Sequence, residues 1–350
     1  MMIPKETHNK EAEVLERALE AFNKLTGLNF MVEEREVDIE GREADAIISL
    51  AVDGKVFRYV AEIEKFLTPV KINLIFLKKL AQLHPKRIIV TDYINPNLAE
   101  QLRKLDIPFI DITGNAYIKE PPVYIFIKGN KQQIEVLAKK QKIRAFQPTG
   151  LKVVFAFLCQ PELVNAPYRE IAKKAKVALG TVGWVMRDLK EAGFLIGTKK
   201  RGRKLINRRK LLDRWVEAYP ENLRPKLLVG RYQAEKDDWW KFTQIQDFNA
   251  YWGGEIAAAK ITQYLKPEIA TIYINDTPTK FLLHNKLAKK PDGNVEILKT
   301  FWEIDYNWPY KDLVPPILIY VDLLATGDTR SIETAQIIYE RELARLIGEN

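Results

Sequence analysis

Residues 168–206 read YREIAKKAKVALGTVGWVMRDLKEAGFLIGTKKRGRKLI, and this stretch decides the fold of the middle of the chain. At its centre, apolar side chains recur with the spacing of one buried helix face. These are Val182, Val185, Met186 and Leu189. We predict a helix from about residue 181 to 192, ended by Gly193. A shorter helix at 168–174 precedes it, across a turn at residues 177–180.

The flanks of this stretch complete a motif. Residues 151–158 are strongly apolar and predict an earlier helix. After the third helix, short strands at 194–196 and 204–206 enclose a basic segment with Gly202 at its tip, which predicts a hairpin. Helix, helix, turn, helix and basic hairpin is the order of a winged helix-turn-helix, a module that binds double-stranded DNA.

The predicted contacts to DNA lie on the third helix and on the hairpin. Gly180 and Gly183 would allow close approach to the duplex, an arginine can form a fork to guanine or phosphate, and the hairpin suits phosphate or the minor groove. The predicted residues are Thr181, Trp184, Arg187, Lys190, Lys199, Lys200, Arg201, Arg203 and Lys204. Alternatives are solvated surface charges, a Trp184 that packs on a neighbouring domain, RNA binding, or a module used for protein contact.

Charge is concentrated in the same place. Residues 151–214 hold 16 Lys or Arg and 5 Asp or Glu, a net charge of +11, whereas the whole chain carries only +9. Residues 128–150 add a further +5. A local basic surface that coincides with a DNA-binding motif indicates a nucleic-acid partner.

Composition excludes several classes of protein. A chain of 350 residues predicts two or three domains. Its single cysteine, Cys159, excludes an internal disulfide framework and a cysteine-based zinc site. The start lacks an apolar signal core, and no apolar run approaches about 18 residues, so we expect a cytoplasmic protein without a membrane segment.

The predicted architecture is multidomain α+β. We expect an α/β domain at 1–130, a basic linker at 131–150, the winged helix at 151–218 and an α+β domain at 219–350. In the first domain, a helix at 9–25 is followed by strands at 30–39, 45–52 and 56–63 and by alternating helices and strands, which favours a partly parallel sheet.

One acidic group in the first domain suggests chemistry. Asp45 begins one strand, and Glu62-Ile-Glu64-Lys65 ends the next. This arrangement resembles the PD-(D/E)xK restriction-endonuclease-like core, which implies Mg²⁺ held by carboxylates and a lysine that positions water. Here Glu64 occupies the same-face position that the family gives to lysine, and Lys65 faces the other way. An active nuclease, a degenerate nuclease-like domain and an unrelated α/β domain all remain open.

The sequence after the basic linker carries a second resemblance. Three segments, Tyr219-Pro-Glu-Asn-Leu-Arg-Pro-Lys, Trp252-Gly-Gly-Glu-Ile-Ala-Ala-Ala-Lys and Pro315–Arg330, look like the AbiEi antitoxin family of type IV toxin–antitoxin systems. The resemblance covers roughly residues 150–350. Asp305, Asp312, Asp322 and Asp328 are spaced without a paired motif, which favours helix caps and turns over catalysis.

The resemblance implies a function. It implies a winged helix that binds operator DNA and represses its own operon, and a C-terminal domain that counters a nucleotidyltransferase-type toxin without stably binding it. We expect no cofactor, with Mg²⁺ only if the nuclease-like site is active, and no membrane partner. A homodimer, a Mg²⁺-dependent nuclease and a non-catalytic protein adaptor stay open as alternatives.

Overall fold

The computed structural model describes residues 5–39, 42–64, 67–80, 86–130, 143–198, 202–236, 238–304 and 308–348. The chain divides into two compact units, residues 1–139 and 140–350. The division falls inside the predicted linker. The second unit contains both the predicted winged helix and the predicted C-terminal domain.

The first unit is built on one seven-stranded sheet with the strands in chain order. Its elements are α1 (Lys5–Thr26), β1 (Phe30–Ile39), β2 (Arg42–Val52), β3 (Lys55–Glu64), α2 (Pro69–Leu80), β4 (Arg87–Thr91), α3 (Pro96–Lys104), β5 (Phe109–Asp111), β6 (Ala116–Glu120) and β7 (Val123–Ile127). Strands β1 to β3 pair antiparallel, β3 to β5 pair parallel, and β5 to β7 pair antiparallel again. The predicted partly parallel sheet is therefore confirmed.

Apolar side chains cover both faces of this sheet. On one face Phe22 of α1 packs with Ile48 and Ile88 of the strands. On the other face Ile72 of α2 and Leu102 of α3 share a second cluster with other strand residues. The alternation of side chains along each strand puts successive residues on opposite faces, which explains why the strands supply both clusters.

The second unit begins with three helices and a hairpin. These are α4 (Pro148–Cys159), α5 (Tyr168–Lys174), α6 (Leu179–Glu191), β8 (Leu195–Thr198) and β9 (Gly202–Leu205), with a short 3-10 helix at Pro161–Asn165. The strands β8 and β9 form a separate two-stranded antiparallel sheet. The predicted order of elements is present, although α4 and α6 each begin two or three residues earlier than predicted.

The remainder of the second unit surrounds a five-stranded sheet of order β11-β12-β14-β10-β13. Its elements are α7 (Arg208–Asn222), α8 (Arg224–Leu227), β10 (Leu228–Gln233), β11 (Ala250–Gly253), α9 (Gly254–Thr262), β12 (Ala270–Ile274), α10 (Thr279–His284), β13 (Ala288–Lys289), β14 (Val295–Lys299), α11 (Pro316–Thr326), α12 (Thr329–Ile338) and α13 (Ala344–Ile347). Helix α11 is buried from Pro316 to Leu324, and this largely apolar helix lies in the core.

The structure confirms a mixed α and β protein with several sheets. In the part of the chain that it describes, every helix is too short or too polar to cross a membrane.

Candidate nucleic-acid interface

The turn between α5 and α6 is fixed by the backbone. Lys176 adopts a left-handed conformation with φ 50°. The N–H of Val177 donates to the carbonyl of Ala172 over 3.0 Å, so the end of α5 is closed by its own backbone. The next helix starts only a few residues later at Leu179. Such a short, defined turn holds the two helices in one relative orientation.

The inner face of α6 is the predicted apolar stripe. Its buried residues are Thr181, Val182, Val185, Met186 and Leu189. The carboxylate of Asp188 accepts the N–H of Ala145 over 3.0 Å, which ties the middle of the helix to the segment before α4. The helix is therefore anchored by packing and by a hydrogen bond on its inner side.

The outer face of α6 presents Gly180, Arg187 and Lys190, all exposed. Gly183 and Trp184 are half-buried on its flank. An added Cβ at Gly183 would lie 3.9 Å from the ring of Tyr168, an ordinary contact distance, so the packing of α5 against α6 does not itself require a glycine here. The predicted outward positions of Arg187 and Lys190 agree with the structure.

Thr181 corrects the predicted interface. It was placed on the outer face, but it is only 8% exposed. The physical reason is its spacing, because Thr181, Val185 and Leu189 fall at i, i+4 and i+8 on the same side of the helix. The helix also starts earlier than predicted, after Ala178, so Thr181 lies in the first turn rather than at the cap.

The hairpin β8–β9 is tight. Gly197 has φ 88°, and a Cβ there would lie 2.2 Å from the carbonyl oxygen of Gly202 on the opposite strand. Lys204 is exposed and pairs in register with Ile196. The predicted contacts Lys199, Lys200 and Arg201 lie outside the described residues.

Arg203 occupies a different position from the one predicted. Its Nη1 donates to the carbonyl oxygen of Val164 over 2.9 Å, and its Cζ lies 5.2 Å from the centre of the Tyr168 ring. The side chain is half-buried, and it connects the hairpin to the loop between α4 and α5. It is therefore engaged within the protein.

The exposed cations have no such partners. Across the described residues, Arg187, Lys190 and Lys204 make no ion pair. The pKa of Lys152 on α4 is lowered, mainly by partial burial and further by the positive charge of Lys176. Burial is the larger of these two causes.

The three acidic residues of the first unit that resemble a nuclease site each contact another group of that unit. Asp45 Oδ2 accepts the N–H of Ile63 over 2.6 Å. Glu62 forms an ion pair with Arg87, and Glu64 forms one with Lys71 at 2.6 Å. Lys65 lies outside the described residues.

These contacts bear on a metal site. The side chains of Glu62 and Glu64 each hold a basic partner, and Asp45 holds a backbone N–H. Elsewhere too, the described residues include no group of three or more His, Cys, Asp or Glu placed to hold a metal. Each of the three carboxylates thus contacts another group of the described residues, and the catalytic role of the set stays a prediction.

The C-terminal motifs meet in space around a buried ion cluster. Arg224 donates through Nε to Asp322 over 3.0 Å and through Nη2 to Glu296 over 2.6 Å. The hydroxyl of Tyr273 donates to Asp322 over 3.0 Å and lies 2.8 Å from the hydroxyl of Tyr219. Tyr219, Arg224 and Asp322 belong to two of the three segments quoted from the sequence.

The third segment approaches the same cluster through its glycines. A Cβ at Gly253 would lie 2.8 Å from the ring of Tyr273 and 3.3 Å from Asp322 Oδ2. Gly254 has φ 47°, and its Cβ would lie 2.8 Å from Thr271 Oγ1. Only glycines at these two positions allow the junction of β11 and α9 to lie this close to Tyr273, Thr271 and Asp322.

The cluster is charged although it is buried. Burial opposes the charge on Arg224, but the carboxylates of Asp322 and Glu296 outweigh it, so the pKa of the guanidinium lies above its usual value. Burial raises the pKa of Asp322, and Arg224 offsets part of that rise. Sequence reasoning gave Asp322 a capping or turn role, and this is wrong because its side chain lies in the core. Asp328 does cap α12, with Ser331 N–H donating to it over 3.0 Å, and Asp305 lies outside the described residues.

One comparison with known proteins gives a match. Residues 204–344 match the family model for the transcriptional regulator, AbiEi antitoxin, of type IV toxin–antitoxin systems. This region is therefore similar to the AbiEi antitoxin family. No curated protein and no solved structure matches the chain.

The AbiEi match confirms the resemblance predicted from the sequence over residues 204–344, which we call the AbiEi region. It includes the buried ion cluster and begins in strand β9. The family is one of transcriptional regulators and antitoxins rather than of enzymes. Helix α6 precedes the matched region, so any role of this helix is argued from its own geometry.

Proposed function

We propose that this protein is a DNA-binding transcriptional repressor and the antitoxin of a type IV toxin–antitoxin system. In this proposal residues 151–206 act as a winged helix-turn-helix. Helix α6 is the recognition helix, and the hairpin β8–β9 is the wing. The AbiEi region supports the regulatory role, because its family is one of transcriptional regulators.

The observation that carries DNA binding is the set of exposed cations Arg187, Lys190 and Lys204. They lie on α6 and on β9, within residues 151–214, which carry a net charge of +11. Buried apolar residues fix the other side of α6. A helix with an apolar inner face, and with outer cations that make no ion pair within the described part of the chain, suits insertion into the major groove. Arg187 is the residue best suited to a bidentate contact with guanine.

The experiment is a competition gel shift with the DNA upstream of the protein's own gene. The proposal predicts that this DNA is retained against an excess of unrelated duplex. It also predicts that Arg187→Ala loses this preference, because one good bidentate base contact contributes about 1–3 kcal/mol of discrimination. Equal retention of every duplex by the wild-type protein would exclude specific operator binding.

The antitoxin activity rests on the family. We propose that the protein represses its own operon and counters a nucleotidyltransferase-type toxin without a stable complex. Co-expression with a toxin of that type from the neighbouring gene should restore growth, whereas co-purification should recover no complex. Failure to restore growth would contradict the antitoxin role and leave the DNA-binding proposal in place.

A further inference from the structure

Besides Arg203, one more residue connects the hairpin β8–β9 to the helices of the same segment. No sequence pattern indicated it. Asn165 ends the 3-10 helix at Pro161–Asn165. Its side-chain oxygen accepts the backbone N–H of Arg203 over 2.7 Å, and its side-chain nitrogen donates to the backbone carbonyl of Arg203 over 2.9 Å. One amide side chain thus pairs with both backbone groups of one residue.

This pairing occurs on the free edge of a two-stranded hairpin. The other edge of β9 pairs with β8, with Arg203 opposite Gly197. Without a partner, the N–H and C=O of Arg203 would bond only to water, and an isolated hairpin is marginally stable. The amide of Asn165 supplies the same donor and acceptor that a third strand would supply.

The side chain of Arg203 strengthens the same connection. It donates to the carbonyl oxygen of Val164 and lies over the ring of Tyr168, the first residue of α5. Val164 is buried, so its carbonyl is a fixed point. The contacts of Asn165 and Arg203 therefore join the hairpin to the loop and the helix that support α6.

We propose that Asn165 and Arg203 form a wing clamp that positions the basic hairpin on DNA, and that Asn165 is a positioning residue for phosphate contact. The inference rests on the proposed DNA-binding function. Asn165 carries no charge and does not itself bind phosphate in this account. Its effect on binding is exerted through the orientation of strand β9, which carries Lys204.

The clamp predicts an unusual salt dependence. A protein that loses one phosphate contact loses about 0.9 from the slope of log affinity against log salt concentration. Lys204→Ala should show a loss of this size because it removes one charge. Asn165→Ala changes no charge, yet it should lower the slope by at least as much. It removes both hydrogen bonds that position strand β9, which carries Lys204.

The test measures binding of the upstream DNA by fluorescence anisotropy from 50 to 300 mM salt. Wild type, Asn165→Ala, Lys204→Ala and Asn97→Ala are compared. Asn97 is exposed on α3 of the other unit, so its variant carries the same chemical change outside the proposed DNA-binding segment. We expect roughly a tenfold loss of affinity for Asn165→Ala at the lowest salt concentration, with a reduced slope, and wild-type behaviour for Asn97→Ala.

Arg203→Lys separates the clamp from a direct contact and serves if Asn165→Ala is poorly folded. Lysine keeps the charge, but it cannot both reach Val164 and cover the Tyr168 ring as a planar guanidinium does. The clamp predicts a several-fold loss of affinity, whereas a simple phosphate contact predicts near wild-type affinity.

The outcomes are distinguishable. If the wild type shows salt-dependent binding and Lys204→Ala lowers the slope, but Asn165→Ala and Arg203→Lys behave like wild type, the clamp is overturned and the DNA-binding proposal stands. If the wild type itself binds without salt dependence, the DNA-binding proposal fails, and the clamp fails with it.

Discussion

The backbone N–H of Glu303 donates to the carbonyl oxygen of Lys174 over 2.8 Å, at the end of helix α5. The carboxylate of Glu303 also lies 3.6 Å from Nζ of Lys176 in the turn that leads to α6. Glu303 belongs to the AbiEi region, and Lys174 belongs to the proposed DNA-binding segment. A change in the AbiEi region therefore has a direct physical route to the helix that we propose reads DNA.

This junction should make the second unit unfold as one. Phe301 is buried, and its ring lies 5.0 Å from that of Phe155 on α4. We expect Phe301→Ala to lower the free energy of unfolding by about 3–5 kcal/mol. Urea unfolding followed by tryptophan fluorescence and by the exposure of Cys159 on α4 should give one shared midpoint. Phe242 is 78% exposed, so Phe242→Ala is the control and should change the free energy of unfolding little. Separate midpoints for the two probes would contradict a single cooperative unit.

The buried ion cluster should be a major source of stability only while it is complete. Arg224→Met leaves Asp322 and Glu296 in the core without their main partner. We expect a loss of about 3–5 kcal/mol in the free energy of unfolding. The matched change Arg231→Met removes a half-exposed partner of Glu296 and should cost below about 1 kcal/mol. Chemical denaturation of both variants measures the difference, and equal losses would show that Arg224 is not the central cation.

Two glycines with a similar positive φ, Gly193 and Gly197, should differ in how their replacement by alanine affects the hairpin β8–β9. Gly197→Ala forces a Cβ against the carbonyl of Gly202, so we expect a distorted hairpin and a reduced affinity for DNA. Gly193→Ala has a similar positive φ but open space around the new Cβ, so it should cost about 1–2 kcal/mol of stability with little change in DNA affinity. Anisotropy and thermal melting of the pair separate the two effects. A Gly197→Ala protein with wild-type affinity would show that the hairpin does not contact DNA.

Cys159 should report on opening of the DNA-binding segment. Complete burial raises the pKa of its thiol well above the ordinary value, so the reactive thiolate is suppressed in the folded state. The unfolded chain loses this proton near pH 8.5, so this group makes the fold less stable as pH rises above that value. Labelling with a disulfide reagent at pH 8 should be slow in native conditions and fast in urea. Fast labelling of the native protein would contradict the buried position.

The carboxylates of the first unit should act in structure rather than in cleavage. We expect DNA incubated with Mg²⁺ or Mn²⁺ to remain intact, because Glu62 and Glu64 are paired with Arg87 and Lys71. Glu62→Ala should instead destabilise the first unit by leaving the half-buried Arg87 without its ion pair. Metal-dependent cutting that disappears in Glu62→Ala would restore the nuclease alternative.

Local patterns in the sequence predicted much of this architecture. The spacing of Val182, Val185 and Leu189 predicted α6 and its buried face, and the strands predicted at 45–52 and 56–63 correspond to β2 and β3. Strand β10 gives a weaker signal, because its short sequence is interrupted by Gly230, where the pairing register shifts. Thr181 was misplaced because the helix begins two residues before it, and helix starts without a side-chain cap leave a weak signal.

The functional contacts that were missed are those between distant residues. Asn165 and Arg203 are 38 residues apart, and Arg224 and Asp322 are 98 residues apart. No local sequence pattern predicts that Arg203, on a basic hairpin, donates a hydrogen bond to the carbonyl oxygen of Val164 in the loop before α5. Charge counting located the basic segment, but it could not separate Arg203, whose side chain contacts Val164 and Tyr168, from Lys204, which makes no ion pair with the described residues.

The most direct test of the central claim is the salt dependence of binding to the upstream DNA, measured by anisotropy together with unrelated duplex. With Lys190 and Lys204 on phosphates and Arg187 on a base edge, we expect a slope of log affinity against log salt concentration of about −2 or steeper, and tighter binding to the upstream DNA. The triple alanine variant should have lost most of that slope. A slope near zero, or the same affinity for both duplexes, would contradict a sequence-specific DNA-binding regulator.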